Sequence, residues 1–203
     1  MKTRNFIAIC CMLMITTSAS AQKEAGEFSF IPRIGMTLAN MSGMDFFYYY
    51  DNEDNEAKSK TKVGVTAGID VEYQALPALG ISLGAHYSLQ GCRFSKNTSF
   101  KAFNTNIHYL NFPLMANLYV GSGFAFRAGV QMGVKLDEET TNDVFGKEDL
   151  FKSVDVSIPF GVSYEYKNFI LGARYNLGIT NISKRKEWKN KNEVFVIDLG
   201  FRI

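Results

Sequence analysis

The sequence predicts an all-β chain that folds as an eight-stranded antiparallel up-and-down transmembrane β-barrel. Three observations point to this fold. Apolar residues alternate with small or polar ones along most of the chain, as expected when successive strand side chains face opposite sides of a sheet. Glycines and charged residues share one of the two faces. Long and short connections also alternate between the predicted strands, which is typical of outer-membrane barrels.

The alternation is clearest between Phe124 and Lys135, in the segment FAFRAGVQMGVK. Its even positions are all apolar, and its odd positions hold Ala, Gly, Gln, Arg or Lys. The same pattern along the chain predicts eight strands, which we place at residues 28–40, 62–76, 80–91, 107–120, 124–137, 153–166, 169–180 and 193–203.

One face of every predicted strand is apolar, and we assign no Asp, Glu, Lys or Arg to it. A soluble barrel would turn this face inward, whereas a barrel in the outer membrane turns it toward lipid. We predict that it contacts outer-membrane lipid, because the opposite face has the character of a crowded interior. Representative members of the apolar face are Ile34, Val65, Leu83, Leu114, Val130, Val162, Leu171 and Ile197.

The opposite face carries charged residues of both signs between rows of glycine. Glycine is unusual on the wet side of a half-exposed sheet, and it indicates a narrow interior where backbone and long side chains share little room. We therefore predict a structural lumenal charge network rather than a conduction path. It comprises Arg33, Asp70, Glu72, Arg127, Lys135, Asp155, Glu165, Arg174, Asp198 and Arg202, and Asp137 is assigned to the same face.

The connections define two ends of the barrel. The tight links LPALG, GSG and KN alternate with long segments such as NISKRKEWKNKN. Short turns are periplasmic in outer-membrane barrels, so both termini are predicted to lie at that end. Aromatic residues of the apolar face, including Phe28, Phe124, Tyr164 and Phe169, collect near the short links, as in an interfacial girdle.

Three prolines interrupt the strand pattern. Pro32, Pro113 and Pro159 fall inside predicted strands, although a closed barrel has no free edge where a missing N–H is harmless. We predict β-bulges or local bends at NFPL and SIPF.

Residues 1–21 are predicted to be a cleaved secretory signal peptide. Lys2 and Arg4 precede the apolar run FIAICCMLMI, and Ala19-Ser20-Ala21 fits an A-x-A cleavage site. Residues 22–203 then form a single outer-membrane β-barrel domain. The predicted location is a bacterial cell outer membrane.

Charge and cysteine content exclude several classes of partner and site. The chain has 22 Lys and Arg against 20 Asp and Glu, and without Lys2 and Arg4 the two signs balance. This balance does not favour a nucleic acid partner. Cys92 is the one cysteine left after the predicted cleavage, so neither an internal disulfide nor a cysteine-based metal site is expected. We predict no cofactor and no metal ion.

The two histidines do not indicate an enzyme. His86 has lumenal parity and would lie near Asp70 and Glu72 if the second and third strands pair, and a His–carboxylate pair can act as a general base. No matching serine constellation accompanies it, so we predict a hydrogen-bonded structural histidine and no catalytic residue. His108 falls on the lipid-facing side at the outer end of its strand.

The long loops contain the candidate partner site. The first pairs an aromatic run with the acidic run DNEDNE, and the last is basic around one tryptophan. Aromatic anchors beside charge can bind an extracellular protein or glycan. The alternative is that the aromatics extend the barrel wall while the charged runs are solvated, and divalent-cation binding by DNEDNE is a third interpretation. The candidate residues are Phe46, Phe47, Tyr48, Tyr49, Tyr50 and Trp188.

The segments PRIGMTLANMSG, GISLGAHYSLQG, HYLNFPLMANLYV and VFVIDLGFRI resemble the outer-membrane β-barrel domain family of Bacteroidetes, often named porin-family or PorT-like proteins. The resemblance covers nearly the whole chain after the signal peptide, and the last segment resembles the C-terminal assembly signal of such barrels. It implies the fold and the compartment, whereas a fold does not define a function.

The sequence leaves several roles open. The first is a non-enzymatic membrane protein that presents extracellular loops in a structural or partner-binding role. The second, implied by the resemblance, is an accessory component of a secretion or envelope-assembly machine. A narrow porin and a soluble lipocalin-like binder, with the apolar face inside, are further alternatives.

Overall fold

A computed structural model of the chain describes residues 23–42, 59–94, 103–121, 123–140, 151–184 and 190–203. The predicted signal peptide and the loop aromatics 46–50 and 188 lie outside these residues. The eight strands are β1 (Phe28–Ser42), β2 (Ser59–Leu76), β3 (Leu79–Phe94), β4 (Phe103–Tyr119), β5 (Phe124–Thr140), β6 (Val154–Tyr166), β7 (Phe169–Gly178) and β8 (Lys191–Phe201).

The strands form one closed antiparallel barrel in which each strand pairs with the next along the chain. Phe28 of β1 lies opposite Tyr73 of β2, and β8 closes the barrel through the pairing of Arg33 with Gly200. The predicted fold class is therefore confirmed. Within the described residues, no helix has the length and apolar character needed to span a bilayer.

The connections alternate in length as predicted. Two residues separate β2 from β3 and β6 from β7, and residues 120–123 join β4 to β5. The other connections, after β1, β3, β5 and β7, are all longer. We call the two ends of the barrel the short-turn end and the long-loop end.

The apolar face points outward. Neighbouring residues show this directly: Ile34 is 66% exposed, whereas Arg33 is 6% exposed. The lipocalin-like alternative requires the reverse arrangement and is wrong. A continuous exposed apolar surface around a closed barrel is what a lipid environment requires.

Aromatic side chains pair across neighbouring strands at the short-turn end. The ring centroids of Phe28 and Tyr73 are 4.9 Å apart, and those of Phe124 and Tyr164 are 4.7 Å apart. Phe169 packs edge-on against Phe201 at 5.2 Å. These pairs lie where the sequence predicts an interfacial girdle.

The sequence predicts bulges or local bends at NFPL and SIPF, and the structure has no β-bulge at either Pro113 or Pro159. Pro113 pairs with Gln131 of β5, but the pairing of β4 with β3 is interrupted beside it. Pro32 lies at a gap between β1 and β8, and Pro159 lies at a gap between β6 and β5. The register is the same before and after each gap. Each proline therefore interrupts the strand pairing on one side, where its missing N–H would have donated a hydrogen bond. No extra residue is inserted in the strand.

A β-bulge in β5 changes the predicted face of one charged residue. Tyr109 pairs with Lys135 and His108 pairs with Asp137, so Leu136 is the extra residue. Beyond the bulge the parity reverses, and Asp137 is exposed on the outer face while Glu138 turns inward. The lumenal assignment of Asp137 was wrong for this reason.

The outward face is also not free of charge at the long-loop end. Glu193 has the parity of Phe195 on β8, and it accepts a hydrogen bond of 2.8 Å from the Tyr175 hydroxyl. The expectation that the outward face carries no charged residue is therefore wrong for Asp137 and Glu193. Both lie toward the long loops, where headgroups and water can solvate them.

Replacement of Gly129 tests the tight packing of the inner face. A Cβ at this position would overlap the Leu114 carbonyl oxygen and lie 2.9 Å from the Cα of Met115. Because both are backbone atoms of β4, the sheet would have to shift. We expect Gly129→Ala to lower the free energy of unfolding by about 1–3 kcal/mol, measured by urea unfolding in detergent micelles.

Ala128→Val is the matched control, since Ala128 is the adjacent residue and is exposed on the outer face. It adds two methyl groups toward the detergent and should leave the unfolding midpoint nearly unchanged. An equal loss for both variants would contradict the assignment of the two faces.

Candidate functional site

The candidate site is the barrel lumen, because that is where the structure concentrates charged and polar side chains. They lie on the inward face of all eight strands and are mostly buried. An eight-stranded barrel has an interior that side chains can fill. We divide the lumen into a central layer (Arg33, Asp70, His86, Asn117, Arg127, Arg174 and Asp198), a short-turn layer (Lys23, Glu72, Tyr119, Glu165 and Arg202) and the long-loop end.

Asp70 of β2 is the common acceptor of the central layer. Arg33 Nε donates to its Oδ2 at 2.6 Å, and Arg127 Nη2 approaches the same oxygen at 3.4 Å. His86 Nε2 lies 2.6 Å from Oδ1. The sequence predicts the closeness of His86 to Asp70 from the pairing of β2 with β3. The Asp70 carboxylate is therefore shared by one histidine and two arginines, all of them buried.

Arg33 joins the two buried aspartates. Its Nη1 donates to Asp198 Oδ1 at 2.5 Å, while Nε is held by Asp70. The planar guanidinium suits this role because its donors point in fixed, divergent directions. Strands β2, β1 and β8 are thereby connected by side chains as well as by their backbone ladders.

Asn117 of β4 links the central layer to the short-turn layer. Its Oδ1 accepts a hydrogen bond from Arg127 Nε at 2.9 Å. Its Nδ2 donates to Glu72 Oε2 at 2.7 Å and to Ser82 Oγ at 3.0 Å. Because both the oxygen and the nitrogen of its amide form hydrogen bonds, Asn117 connects the central layer to the short-turn layer.

The short-turn layer is built from residues that are distant in the sequence. Arg202 donates to both carboxylate oxygens of Glu165, at 2.8 and 3.1 Å, and its Nη1 lies 3.0 Å from Glu72 Oε1. The Tyr119 hydroxyl donates to the same Glu72 oxygen at 2.5 Å and accepts from Arg202 Nη2 at 2.9 Å. These contacts connect β2, β4, β6 and the end of β8 across the lumen.

Lys23, which precedes β1, completes this layer. Its Nζ lies 2.7 Å from Glu165 Oε2 and 3.9 Å from the centroid of the Tyr119 ring. Burial lowers the pKa of the Lys23 ammonium, and the positive charge of Arg202 lowers it further, while Glu165 acts in the opposite direction. Lys23 is therefore held in the short-turn layer by charge and by a cation–π contact.

Two predicted network members lie toward the long-loop end. Lys135 donates to Glu138 Oε2 at 2.8 Å and to the Phe151 carbonyl at 2.7 Å. Asp155 is bound by uncharged groups, accepting from Thr180 at 2.8 Å and from Asn192 at 3.3 Å. These contacts lie apart from those of the central and short-turn layers.

Buried apolar side chains also turn inward near the long loops. Met41, Ile107 and Tyr109 are at most 2% exposed and lie on the inward faces of β1 and β4. Phe151 and Ile182, from the connections after β5 and β7, are also buried, and Phe151 pairs with Ser183 in an isolated bridge. The lumen is thus occupied by ionic groups at its centre and short-turn end, and partly by apolar groups at the other end.

The structure brings most of the predicted network residues together and separates a few. Arg33, Asp70, Arg127 and Asp198 form one cluster, and Glu72, Glu165 and Arg202 form a second that Asn117 connects to the first. Lys135 and Asp155 lie apart, and Arg174 is buried on the inward face of β7 with two donor atoms that have no hydrogen-bond partner among the described residues.

Sequence reasoning missed several members of the network. Lys23 precedes the first strand, so strand parity could not assign it, and Glu138 changes face at the bulge. Asn117 and Tyr119 follow the inward parity of β4 and could have been found by including polar uncharged residues. Across the described ranges, no group of three or more His, Cys, Asp and Glu could hold a metal ion.

Comparisons with known proteins address the fold and the family. No curated protein sequence matches the chain. Among solved structures, Neisserial surface protein A is 14% identical with a TM-score of 0.51, covering 89% of this chain and 100% of that chain. OprG from Pseudomonas aeruginosa is 16% identical with a TM-score of 0.50, covering 90% and 98%. Ail of Yersinia pestis is 13% identical with a TM-score of 0.45, covering 89% and 100%.

At these identities the likeness to solved structures shows the fold alone. The family is shown separately, because the profile of the outer membrane protein beta-barrel domain matches residues 20–184, which span β1 to β7. The chain therefore belongs to the outer membrane protein β-barrel domain family, and its place is the bacterial outer membrane.

Proposed function

We propose that this chain is a closed, non-enzymatic outer-membrane barrel that presents its long loops to an envelope or extracellular protein or glycan. The lumenal charges have a structural role in this proposal. The observation that carries it is the occupation of the lumen: side chains from strands that are not neighbours in the barrel are bonded to each other through its interior.

The ion pairs across the lumen argue against solute transport. Arg127 of β5 reaches Asp70 of β2, and Arg202 after β8 reaches Glu72 of β2. A solute would have to break these buried ion pairs to pass. Breaking such a pair leaves an uncompensated charge in a medium of low dielectric constant, which is costly.

The strand lengths favour presentation of the loops. About 9–11 residues of a tilted strand cross the bilayer, whereas β2, β3, β4 and β5 contain 18, 16, 17 and 17 residues. The long-loop ends of these strands therefore extend past the hydrocarbon region. Loops on a rigid scaffold are where binding residues usually lie. The aromatic run 46–50 and Trp188 remain the proposed contact residues.

The resemblance to PorT-like proteins supports a second role, as an accessory of a secretion or envelope-assembly machine. The two roles differ in the end of the barrel that meets a partner. A surface role uses the long loops, whereas an accessory to a periplasmic machine would use the short turns as well.

Photo-crosslinking in cells tests which end meets a partner. Lys152 and Lys167 are a matched pair, since both are exposed lysines, one in a long connection and one in the turn between β6 and β7. With a photoreactive residue at each site in turn, we expect adducts from Lys152 and none from Lys167. Adducts from Lys167 alone would contradict loop presentation and favour the accessory role.

Planar bilayer recording tests the closed lumen. The purified, folded chain should give no reproducible single-channel steps, because buried ion pairs cross its interior. A general porin reconstituted in the same way serves as the positive control. Steps of constant amplitude that disappear with heat-denatured protein would overturn the proposal of a closed barrel.

Arg33→Met tests the structural role of the charge network. The variant leaves Asp70 and Asp198 without their shared cation, and we expect a loss of about 3–5 kcal/mol in the free energy of unfolding. Urea unfolding in micelles measures this loss. The double variant Arg33→Met/Asp198→Leu should recover part of it, since the carboxylate that lost its hydrogen bond from Arg33 is also removed.

Lys191→Met is the control for this series, because Lys191 is an exposed residue of β8. We expect a change within about 0.5 kcal/mol. If Arg33→Met were no more destabilising than Lys191→Met, the network would not have the role proposed here.

A further inference from the structure

Arg174 differs from the other lumenal arginines because two of its donor atoms have no hydrogen-bond partner among the described residues. The residue is 4% exposed and lies on the inward face of β7. Its Nε and Nη1 atoms are buried and have no hydrogen-bond partner. Arg33, Arg127 and Arg202 each donate to at least one carboxylate or amide of the described residues. A buried guanidinium in this state is unfavourable unless another group binds it.

The strand register places Arg174 close to a second arginine. Gly161 of β6 pairs with Arg127 of β5 on one side and with Arg174 of β7 on the other. The glycine contributes no side chain between them, and a Cβ there would lie 2.6 Å from the Cα of Arg174. The side chains of Arg127 and Arg174 therefore enter the narrow lumen on either side of Gly161, and their like charges repel.

The charges of the central layer do not balance. Arg33, Arg127 and Arg174 contribute three positive charges, whereas Asp70 and Asp198 contribute two negative ones. Both aspartates already bind Arg33. Glu72 is paired with Arg202 in the short-turn layer, and Asp155 lies toward the long-loop end, where the uncharged Thr180 and Asn192 bind it. One positive charge is thus left over where the dielectric constant is low.

We propose that the lumen binds one small inorganic anion of the size of chloride at Arg174, on the side of Arg127. The anion accepts hydrogen bonds from the unused donors of Arg174 and neutralises the excess charge of the central layer. It is a buried structural ion and takes no part in contacts of the long loops.

Water is the competing occupant. The second carboxylate oxygen of Asp198, Oδ2, also has no partner, and a water molecule could bridge it to Arg174. Water would satisfy hydrogen bonds but would leave the charge of the layer unchanged. The charge imbalance favours an anion for this reason, and the experiment must separate the two occupants.

Crystals of the full-length folded protein grown with bromide in place of chloride make the anion visible by anomalous scattering. We expect an anomalous peak at hydrogen-bond distance from the guanidinium of Arg174. Density for water alone at that position, or bromide peaks confined to the outer surface of the barrel, would overturn the proposal.

Unfolding in solution gives a second test that needs no crystal. At equal ionic strength, the wild-type chain is compared in chloride and in gluconate, an anion too large for a filled eight-stranded lumen. The ratio of folded to unfolded protein should rise about tenfold when chloride reaches ten times its dissociation constant. Equal midpoints in the two salts over a wide concentration range would contradict an anion site.

Two variants assign the effect to Arg174. Arg174→Gln should abolish the difference between chloride and gluconate. Arg202→Gln is the matched control, since Arg202 is bound in the short-turn layer, and it should lower stability while retaining the chloride effect. A chloride effect that survives Arg174→Gln would overturn the assignment. If Arg174→Gln does not fold, the comparison of wild type with Arg202→Gln and the bromide crystals still decide.

Discussion

The structure depends on the narrowness of its own interior. Eight strands enclose little more than the volume of the side chains that point inward, so each buried charge must find a partner within that space. Asp70 shows the result, because Arg33, Arg127 and His86 from three other strands all reach its carboxylate. The inward glycines follow from the same limit: a Cβ at Gly84 would overlap an oxygen of Asp70, and one at Gly172 would lie 2.7 Å from Asp198 Oδ1.

The side-chain network and the backbone ladder make different connections. The ladder joins each strand only to its neighbours in the barrel. The network joins strands that do not touch, as when Asn117 of β4 binds Glu72 of β2, or Arg202 binds Glu165 of β6. Lys23 adds the segment before β1 to the same layer. Because lipid replaces water outside the barrel, these internal contacts provide specificity that burial of the outer apolar face alone does not.

In the proposed function, stability and recognition belong to different parts of the barrel. The inward face carries the bonded charges, and the outward face matches the hydrocarbon region. Recognition is proposed for the long loops and the strand ends that carry them. Asp137 and Glu193 mark this boundary, since both are charged residues on the outer face near the long loops, where the surroundings change from hydrocarbon to water.

Local alternation by itself determined the strand number, the antiparallel order and the face of nearly every strand residue, because side chains in a strand must alternate and short links force neighbours to pair. It also identified most charged residues of the lumen and the closeness of His86 to Asp70. Only the tertiary structure decided which charges meet. The bulge at Leu136 reversed Asp137 and Glu138, Lys23 entered from outside the strands, and two donor atoms of Arg174 were left without a hydrogen bond from the described residues. These outcomes depend on register and on distances across the barrel, which are properties of the closed sheet and not of any single strand.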